Sequence, residues 1–444
     1  QERMSLAIPP GNIDEFMALA RKMEVEATIL GTFTDSGKFH IRYGENTAAC
    51  LDMEFLHEGV PQMKLTARWV PPRHPEPDFP EPSDYGKVLK AMLSRLNICS
   101  KESVVRQYDH EVQGGSVVKP LVGVANDGPS DAAVIRPVLE SYEGVVVANG
   151  ICPRYSDIDA WHMAACAIDE AVRNAVAVGV SLERLAGLDN FCWCDPVQSE
   201  KTPDGHYKLA QLVRANLALY ELTLLYGVPC ISGKDSMKND YQIGDTKISI
   251  PPTLLFSVIG RIEDVRKAVT MDAKRAGDLV YVLGETKREL GGSEWYAMHG
   301  AVGNDVPKVD GERALALYRA LAKAIREGLV ASCHDCSDGG LGVALAETAF
   351  SGGFGMDVEL AAVPASGIGR DDEMLFSETQ SRFVVTVRPE NKAAFEEALA
   401  GSTMACIGAV TGGGLFRAKG LRGGVILEER IEDLKEAWQR TLRF

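Results

Sequence analysis

"QSRFVVTVRPENKAAFEEAL" (residues 380–399) reads like a second copy of the first twenty residues of the chain, "QERMSLAIPPGNIDEFMALA". Gln380 aligns with Gln1. Further on, "IGAVTGGGLFRA" (407–418) aligns with "LGTFTDSGKFHI" (30–41), with Phe416 on Phe39, so the register slips by only about two residues between these pairs. A repeat of this length, about 380 residues, means two large structural units in tandem rather than a solenoid of small ones. The chain therefore opens inside one unit and continues through a complete second unit. With Gln rather than Met at position 1, the natural protein is expected to extend upstream.

Working outward from the repeat, the tail of the first unit occupies residues 1–70. Six prolines in "VPPRHPEPDFPEPSDY" (70–85) resist helix and sheet alike, so 71–85 is expected to be an extended linker. In the second unit, "DYGKVLKAMLSRLNI" (84–98) sets Val88, Met92 and Leu96 at helical spacing, whereas "GVVVA" (144–148) and "TLLFSVIG" (253–260) read as buried strands. Between them "DAWHMAACAIDEAVRNAVAVG" (159–179) is an Ala-rich helix stopped by Gly179. A new strand in "RAGDLVYVLGET" (275–286) opens a second subdomain. Its helices "GERALALYRALAKAIREG" (311–328) and "IEDLKEAWQRTLRF" (431–444) carry core stripes at Leu317, Leu321, Ile325, Ile431, Leu434, Trp438 and Leu442. The fold class is α/β (α+β), with domains over 86–270 and 271–444.

The 444 residues, 45% apolar and 25% charged, are those of a globular chain, and its formal net charge of −15 opposes broad binding to nucleic acid or to an anionic membrane surface. No signal peptide or membrane span is evident in the sequence, and the ten scattered Cys fit a reduced, cytoplasmic setting. "CWC" (192–194) and "CHDC" (333–336) do not make a zinc-ligand set of recognised spacing.

Oxygen ligands gather instead. "GPSDAAVIRP" (128–137) puts Asp131 at the mouth of a strand, and Glu170 and Asn174 lie four apart on the Ala-rich helix, hence on one face. "HDCSDGGLGVALAETAF" (334–350) leaves a strand expected at 329–332 and enters a helix near Gly340, with Asp335, Ser337 and Asp338 in the turn. These turn residues are candidate helix caps, and the Glu170–Asn174 pair is a candidate solvated pair. The alternative is that Asp131, Glu170, Asn174 and Asp335 converge as hard oxygen ligands for Mg²⁺ beside a nucleotide. "AGLDNFCWCDP" (186–196) adds Asp189 at another expected strand end. "GVPCISGKDSMKND" (227–240) adds Gly233, Lys234 and Ser236. The latter is not a phosphate-binding P-loop: five residues separate Gly227 from Gly233, and Asp235 intervenes between Lys234 and Ser236.

Taken together, "QERM", "SKESVVRQYDHEV", "GPSDAAVIR", "DEAVRNAVAVG", "LDNF", "SGKDSMKND", "AGDLVYVLGET", "HDCSDGGLGVALAE" and "FSETQSRFVVTV" resemble, in order and over nearly the whole chain, the synthetase portion of the phosphoribosylformylglycinamidine synthase family. The resemblance implies tandem A/B units like aminoimidazole ribonucleotide synthetase. Residues 1–70 would be the C-terminal part of the first B domain, 86–270 the second A domain and 271–444 the second B domain. It implies an ATP-dependent carbon–nitrogen ligase of purine biosynthesis. Such an enzyme converts formylglycinamide ribonucleotide, ATP and glutamine-derived ammonia to the amidine, ADP and phosphate, with Mg²⁺.

By the same resemblance Asp189 and Gly233 contact nucleotide, and Gln1 and Ser236 contact substrate. Position 234 falls at a metal in the family, but the Lys found here has no acceptor and is grouped with the nucleotide. In the glutaminase-fused form of the family, the positions matching Asp131, Glu170, Asn174, Asp335 and Ser337 hold Mg²⁺ and a nucleotide in an auxiliary site. The family's catalytic His and Gly-rich loop belong to the first unit, so no catalytic residue is expected in this chain and it should not turn over alone. The implied partners are the first half of the same synthetase, a glutaminase subunit or domain, and the small-molecule substrate. Two rival readings are a non-catalytic ADP/Mg²⁺-binding scaffold and a relative of selenophosphate synthetase or of hydrogenase maturation proteins.

Overall fold

The structure is a computed structural model and describes residues 3–444, apart from the side chain of Val112. Gln1 lies outside the described residues. The chain divides into two compact units, one ending at Lys64 and one spanning Leu65–Phe444.

In the first unit a helix, Ile13–Lys22, precedes a hairpin of Lys38–Tyr43 and Asn46–Asp52 and a short helix, Met53–Glu58. Ala20 is the one buried hydrophobic residue among its described residues, while Leu6, Leu19, Ile29 and Phe39 are exposed. The repeat explains this. Met4–Ile8 correspond in sequence to the strand Phe383–Val387, which sits between two other strands in the second unit. Residues 3–9 form no strand here, because the segments that would pair with them have no counterpart in this unit.

Among its described residues the second unit contains two large sheets and two short two-stranded ones, Asp240–Ile243 with Thr246–Ser249 and Thr286–Lys287 with Ala365–Ser366. The first large sheet is built from β1 (Ser116–Val118), β2 (Ala133–Ile135), β3 (Gly144–Ile151), β4 (Leu185–Cys192), β5 (Cys230–Ser236) and β6 (Thr253–Ile262), in the order β1-β2-β3-β6-β4-β5. The second comprises β7 (Leu279–Leu283), β8 (Ser332–Asp335), β9 (Gly355–Glu359), β10 (Phe383–Val387), β11 (Met404–Thr411), β12 (Leu415–Lys419) and β13 (Val425–Arg430), in the order β8-β10-β7-β11-β9-β12-β13. Helix α1 (Ala160–Ala177) lies on β3 and is buried along almost its whole length, which its run of Ala allows. Gly150 of β3 makes that approach possible, since a Cβ there would stand 2.1 Å from the Ala167 carbonyl oxygen. Helix α2 (Gly205–Tyr226) packs beside α1, followed by α3 (Gly311–Arg326) and the fully buried α4 (Gly340–Gly352). Among the described residues, no helix is long and apolar enough to cross a membrane.

Within the first sheet, alternation is strict along β3 and β6. Val146, Ala148 and Gly150 of β3 face α1, while Val147 and Ile151 are exposed, as is Ile259 of β6 opposite Val147. One side of this sheet is thus open and apolar.

Three sequence expectations shift. The helix at 84–98 is Tyr85–Leu93, its buried face is Leu89, Met92 and Leu93 rather than Val88, Met92 and Leu96, and Leu96 lies beyond its end and exposed. The strand expected at 329–332 is β8, Ser332–Asp335, so His334 and Asp335 are strand residues. The Pro-rich stretch is extended but not free. Trp69 stacks on Tyr207 at 5.4 Å, the His74 N–H donates to Asn304 at 2.8 Å, and Phe79 stacks on His299 at 3.9 Å.

An acidic cleft where the two sheets meet

The site is assembled from both large sheets of the second unit. Asp131 comes from the loop before β2, Glu170, Arg173 and Asn174 from α1, and His334 and Asp335 from the end of β8. Ser337 and Asp338 lie in the turn to α4. That turn is tight: Gly339 and Gly340 have φ of 78° and 68°, where a side chain would be strained, and a Cβ on Gly340 would stand 2.3 Å from the Ser377 carbonyl oxygen. The N-terminus of α4 carries no side-chain cap from Asp335 or Ser337. Instead the Gly339 N–H donates to Glu378 at 2.8 Å, which frees the turn residues for other work.

A cleft of about 170 Å³ opens here, lined by Glu170, Asp335, Asp338 and Glu347 among other residues. Its only cationic lining residue is His334, and that imidazole is already engaged. Its Nδ1 lies 2.8 Å from Asp131 Oδ1 and its Nε2 lies 2.9 Å from Glu347 Oε2. Burial opposes charge on this ring, but Asp131 and Glu347 on either side raise its pKa well above the ordinary histidine value. The same Asp131 Oδ1 accepts the Asp335 N–H at 3.0 Å.

Arg173, wholly buried, is the second organising cation. It donates to Asp335 Oδ2 at 3.1 Å, Asp169 at 2.7 Å, Gln380 at 3.0 Å and Ser337 at 3.1 Å. The Ser337 hydroxyl also donates to Asp335 Oδ2. Burial disfavours the guanidinium, yet Asp335 and Asp169 hold it firmly charged. Asp169 is fixed in turn by Tyr226, Tyr318 and Ser381.

Glu170 accepts the Ile151 N–H at 2.8 Å, and burial pushes its carboxyl up to about 8 against the pull of Arg173. Burial likewise lifts Asp338 to about 7 and Glu378 to about 8. Asn174 donates from its amide nitrogen to the Asn149 carbonyl at 3.2 Å, leaving its oxygen buried without a partner. Ligand atoms of Asp131, His334 and Asp335 lie within 4.8 Å of one another. A buried, unpartnered amide oxygen beside carboxylates that are reluctant to ionise is the donor set of a hard divalent cation such as Mg²⁺. The ten Cys are all free, and none joins this group.

The structure thus brings Asp131, Asp335 and Ser337 into one hydrogen-bonded network, with Glu170 on the same cleft and Asn174 a turn along the same helix. The pair Glu170 and Asn174 is not a solvated surface pair: Asn174 is buried. Arg173, Asp169, His334, Glu347 and Glu378 escaped sequence reasoning, and Asp338 was read only as a candidate cap. The signal for the first two was present, since two charges in an otherwise Ala-rich buried helix need partners.

The second group divides. Asp189 lies inside β4, not at its end, and "GKDS" is part of the edge strand β5 rather than a strand-end loop. Asp189 pairs with Gly233 across β4–β5, and a Cβ on Gly233 would stand 2.9 Å from the Asp189 carboxylate. Alternation places both on the face that packs against helices, through Phe256 and Gly150. Lys234 pairs with Asn190 and donates to Ser236 on the opposite, open face. Lys234 and Asp189 therefore lie on opposite faces of the sheet. Among the described residues, no side-chain hydrogen bond links either pair to the Asp131–Asp335 network.

Comparison with known proteins fits this geometry. Residues 275–420 match the family "AIR synthase related protein, C-terminal domain". The whole chain is 33% identical to the phosphoribosylformylglycinamidine synthase subunit PurL of Alkaliphilus metalliredigens, covering 57% of that protein. Over 88% of its length it is 34% identical to PurL of Methanocaldococcus jannaschii, covering 52% of it. The chain therefore spans about half the length of these curated relatives. Among solved structures, T. maritima PurL complexed with FGAR superimposes with a TM-score of 0.58 at 19% identity, over 78% of this chain and 53% of that one. T. maritima PurL complexed with ADP does so with a TM-score of 0.55 at 19% identity, over 80% and 55%. At that identity the superpositions speak for the fold. Residues 275–420 thus carry an AIR synthase related C-terminal domain, and over its full length the chain is similar to about half of a phosphoribosylformylglycinamidine synthase subunit PurL.

Proposed function

We propose that the chain supplies the second half of an ATP-dependent phosphoribosylformylglycinamidine synthetase, and that its cleft holds a nucleotide through Mg²⁺. The observation that carries this reading is the charge of the cleft. Glu170, Asp335, Asp338 and Glu347 line it, and its one imidazolium is spent between two carboxylates. A polyphosphate can enter only with divalent cations that offset both sets of negative charge. Asp131, Glu170, Asn174 and Asp335 are the residues that would hold the cation, with Ser337 beside the nucleotide. When bound, Mg²⁺ would screen the phosphates, and the chain's own part is to fix the oxygens that receive it.

Catalysis would need the other half of the synthetase. The open apolar face of the first sheet, with Val147, Ile151 and Ile259 exposed, supports a partner domain there, placing Lys234 and Ser236 on the shared face. A glutaminase subunit or domain would supply ammonia. Asp189 and Gly233 remain nucleotide contacts in this proposal, on the helix-packed side of the edge strand.

The second reading, a static nucleotide scaffold, has one observation in its favour: Arg173 and His334, the cations that organise the cleft, are locked to carboxylates. Release of phosphate from ATP, with formylglycinamide ribonucleotide and ammonia, tests the main reading. The chain alone should give none, and co-purification with the half of a PurL subunit that it does not match should restore it. Turnover by the chain alone would overturn the division of labour. Full activity in that complex after Asp335→Asn, with nucleotide lost from the cleft, would favour the scaffold.

A further inference from the structure

Each of the two central carboxylates is bound unevenly. Asp131 Oδ1 receives two donors, His334 Nδ1 at 2.8 Å and the Asp335 N–H at 3.0 Å. Asp335 Oδ2 receives Arg173 at 3.1 Å and the Ser337 hydroxyl. In each case one oxygen is saturated from within the protein, and its twin carries no side-chain donor among the described residues. A carboxylate held by one oxygen cannot rotate freely, so the other oxygen points where the fold aims it. His334 in turn has both ring nitrogens within hydrogen-bond distance of carboxylate oxygens, Nδ1 of Asp131 and Nε2 of Glu347. Glu347, on the buried helix α4, fixes the far nitrogen at 2.9 Å and thereby the plane of the ring.

We propose that His334 is a positioning residue: braced by Glu347, it turns Asp131 so that the free Asp131 oxygen is presented to a divalent cation in the cleft. This rests on the cation-dependent reading of the cleft given above and deepens it, because His334 then acts on the cation without ligating it. A purely structural imidazolium would stabilise the fold through both nitrogens alike. A positioning imidazole acts on the cation mainly through Nδ1, with Nε2 serving only to hold the ring.

Two variants separate these roles. In His334→Asn the side-chain amide falls near the place of Nδ1 and can still donate to Asp131. In His334→Gln it falls near Nε2 and can donate only to Glu347. Mn²⁺ is the probe, its free concentration followed by electron paramagnetic resonance with no nucleotide present, and thermal unfolding in EDTA reports the structural cost of each change. His334→Gln should bind Mn²⁺ about 10- to 100-fold more weakly, the usual cost of losing a group that orients a metal ligand. His334→Asn, which keeps the donor to Asp131 and loses only the Glu347 brace, should bind about threefold more weakly than the parent. The two should melt at similar temperatures in EDTA, each having lost one of two hydrogen bonds.

Equal Mn²⁺ affinities for the two variants would overturn the positioning role. If the parent and Asp335→Asn bind Mn²⁺ alike, the cation site itself fails and the proposal fails with it, so the two failures are distinguishable. Should either His334 variant not fold, Glu347→Ala keeps the imidazole but releases its far nitrogen. It must weaken Mn²⁺ binding at least about threefold, and unchanged affinity there would equally overturn the proposal.

Discussion

Replacing Glu170 by Gln should make the cation-free protein more stable at pH 8 while removing its response to Mg²⁺. Burial raises this carboxyl from 4.5 to about 8 in the folded chain. Because the folded value is the higher one, the native state keeps a proton that the unfolded chain releases between those limits. Stability is therefore lost as pH rises through the window from about 4.5 to about 8. At about 1.36 kcal/mol per unit the whole shift is a ceiling of about 5 kcal/mol. The carboxylate borders an open cleft, so water relieves part of this, and about 1–3 kcal/mol is the expected size. The amide introduced by Glu170→Gln would still accept the Ile151 N–H and has no charge to bury. Urea unfolding from pH 5 to pH 8 in EDTA should show the variant gaining on the parent as pH rises, with the difference small at pH 5. In millimolar Mg²⁺ the parent should recover stability and the variant should not. Parallel pH profiles, or an equal gain from Mg²⁺, would refute the reasoning.

Arg173→Met leaves Asp335 and Asp169 buried without their cation and should cost about 3–5 kcal/mol in chemical denaturation; a cost under about 1 kcal/mol would show that the network is dispensable. Gly150→Ala puts a methyl group 2.1 Å from the Ala167 carbonyl and 2.7 Å from the Ala171 nitrogen, so α1 must lift off β3. A loss of about 1–3 kcal/mol or more is expected, together with weaker Mg²⁺-dependent nucleotide binding; undiminished binding would mean that α1 does not place the ligands. Deleting residues through Lys64 should leave Leu65–Phe444 folded with its unfolding midpoint nearly unchanged and should reduce any self-association. Cooperative unfolding of the remainder would mean that the first unit is integral to it.

The grouping of the candidate ligands was partly legible because these residues sit where chain geometry can be read locally. Asp131 is just ahead of a strand, Asp335 precedes a glycine turn, and Glu170 and Asn174 are four apart on a helix. What organises those ligands was not legible. The bonds from Arg173 to Asp335 and from His334 to Asp131 span 162 and 203 residues of sequence, and nothing in local periodicity reports a pairing at that distance. The split of the edge-strand group between two faces was hidden for a different reason. Once Asp189 is known to pair with Gly233, period-two alternation sends Lys234 to the other face, but a sequence without its register does not reveal which residues share a side.

The most direct test of the cation-bridged cleft is calorimetric titration of the chain with ADP, with and without Mg²⁺, alongside Asp335→Asn. An acidic cleft that reaches phosphate only through a cation requires heat of binding in Mg²⁺ and none in EDTA, with Asp335→Asn silent in both while remaining folded. Binding of ADP that is equally tight in EDTA, or that survives Asp335→Asn unchanged, would contradict it.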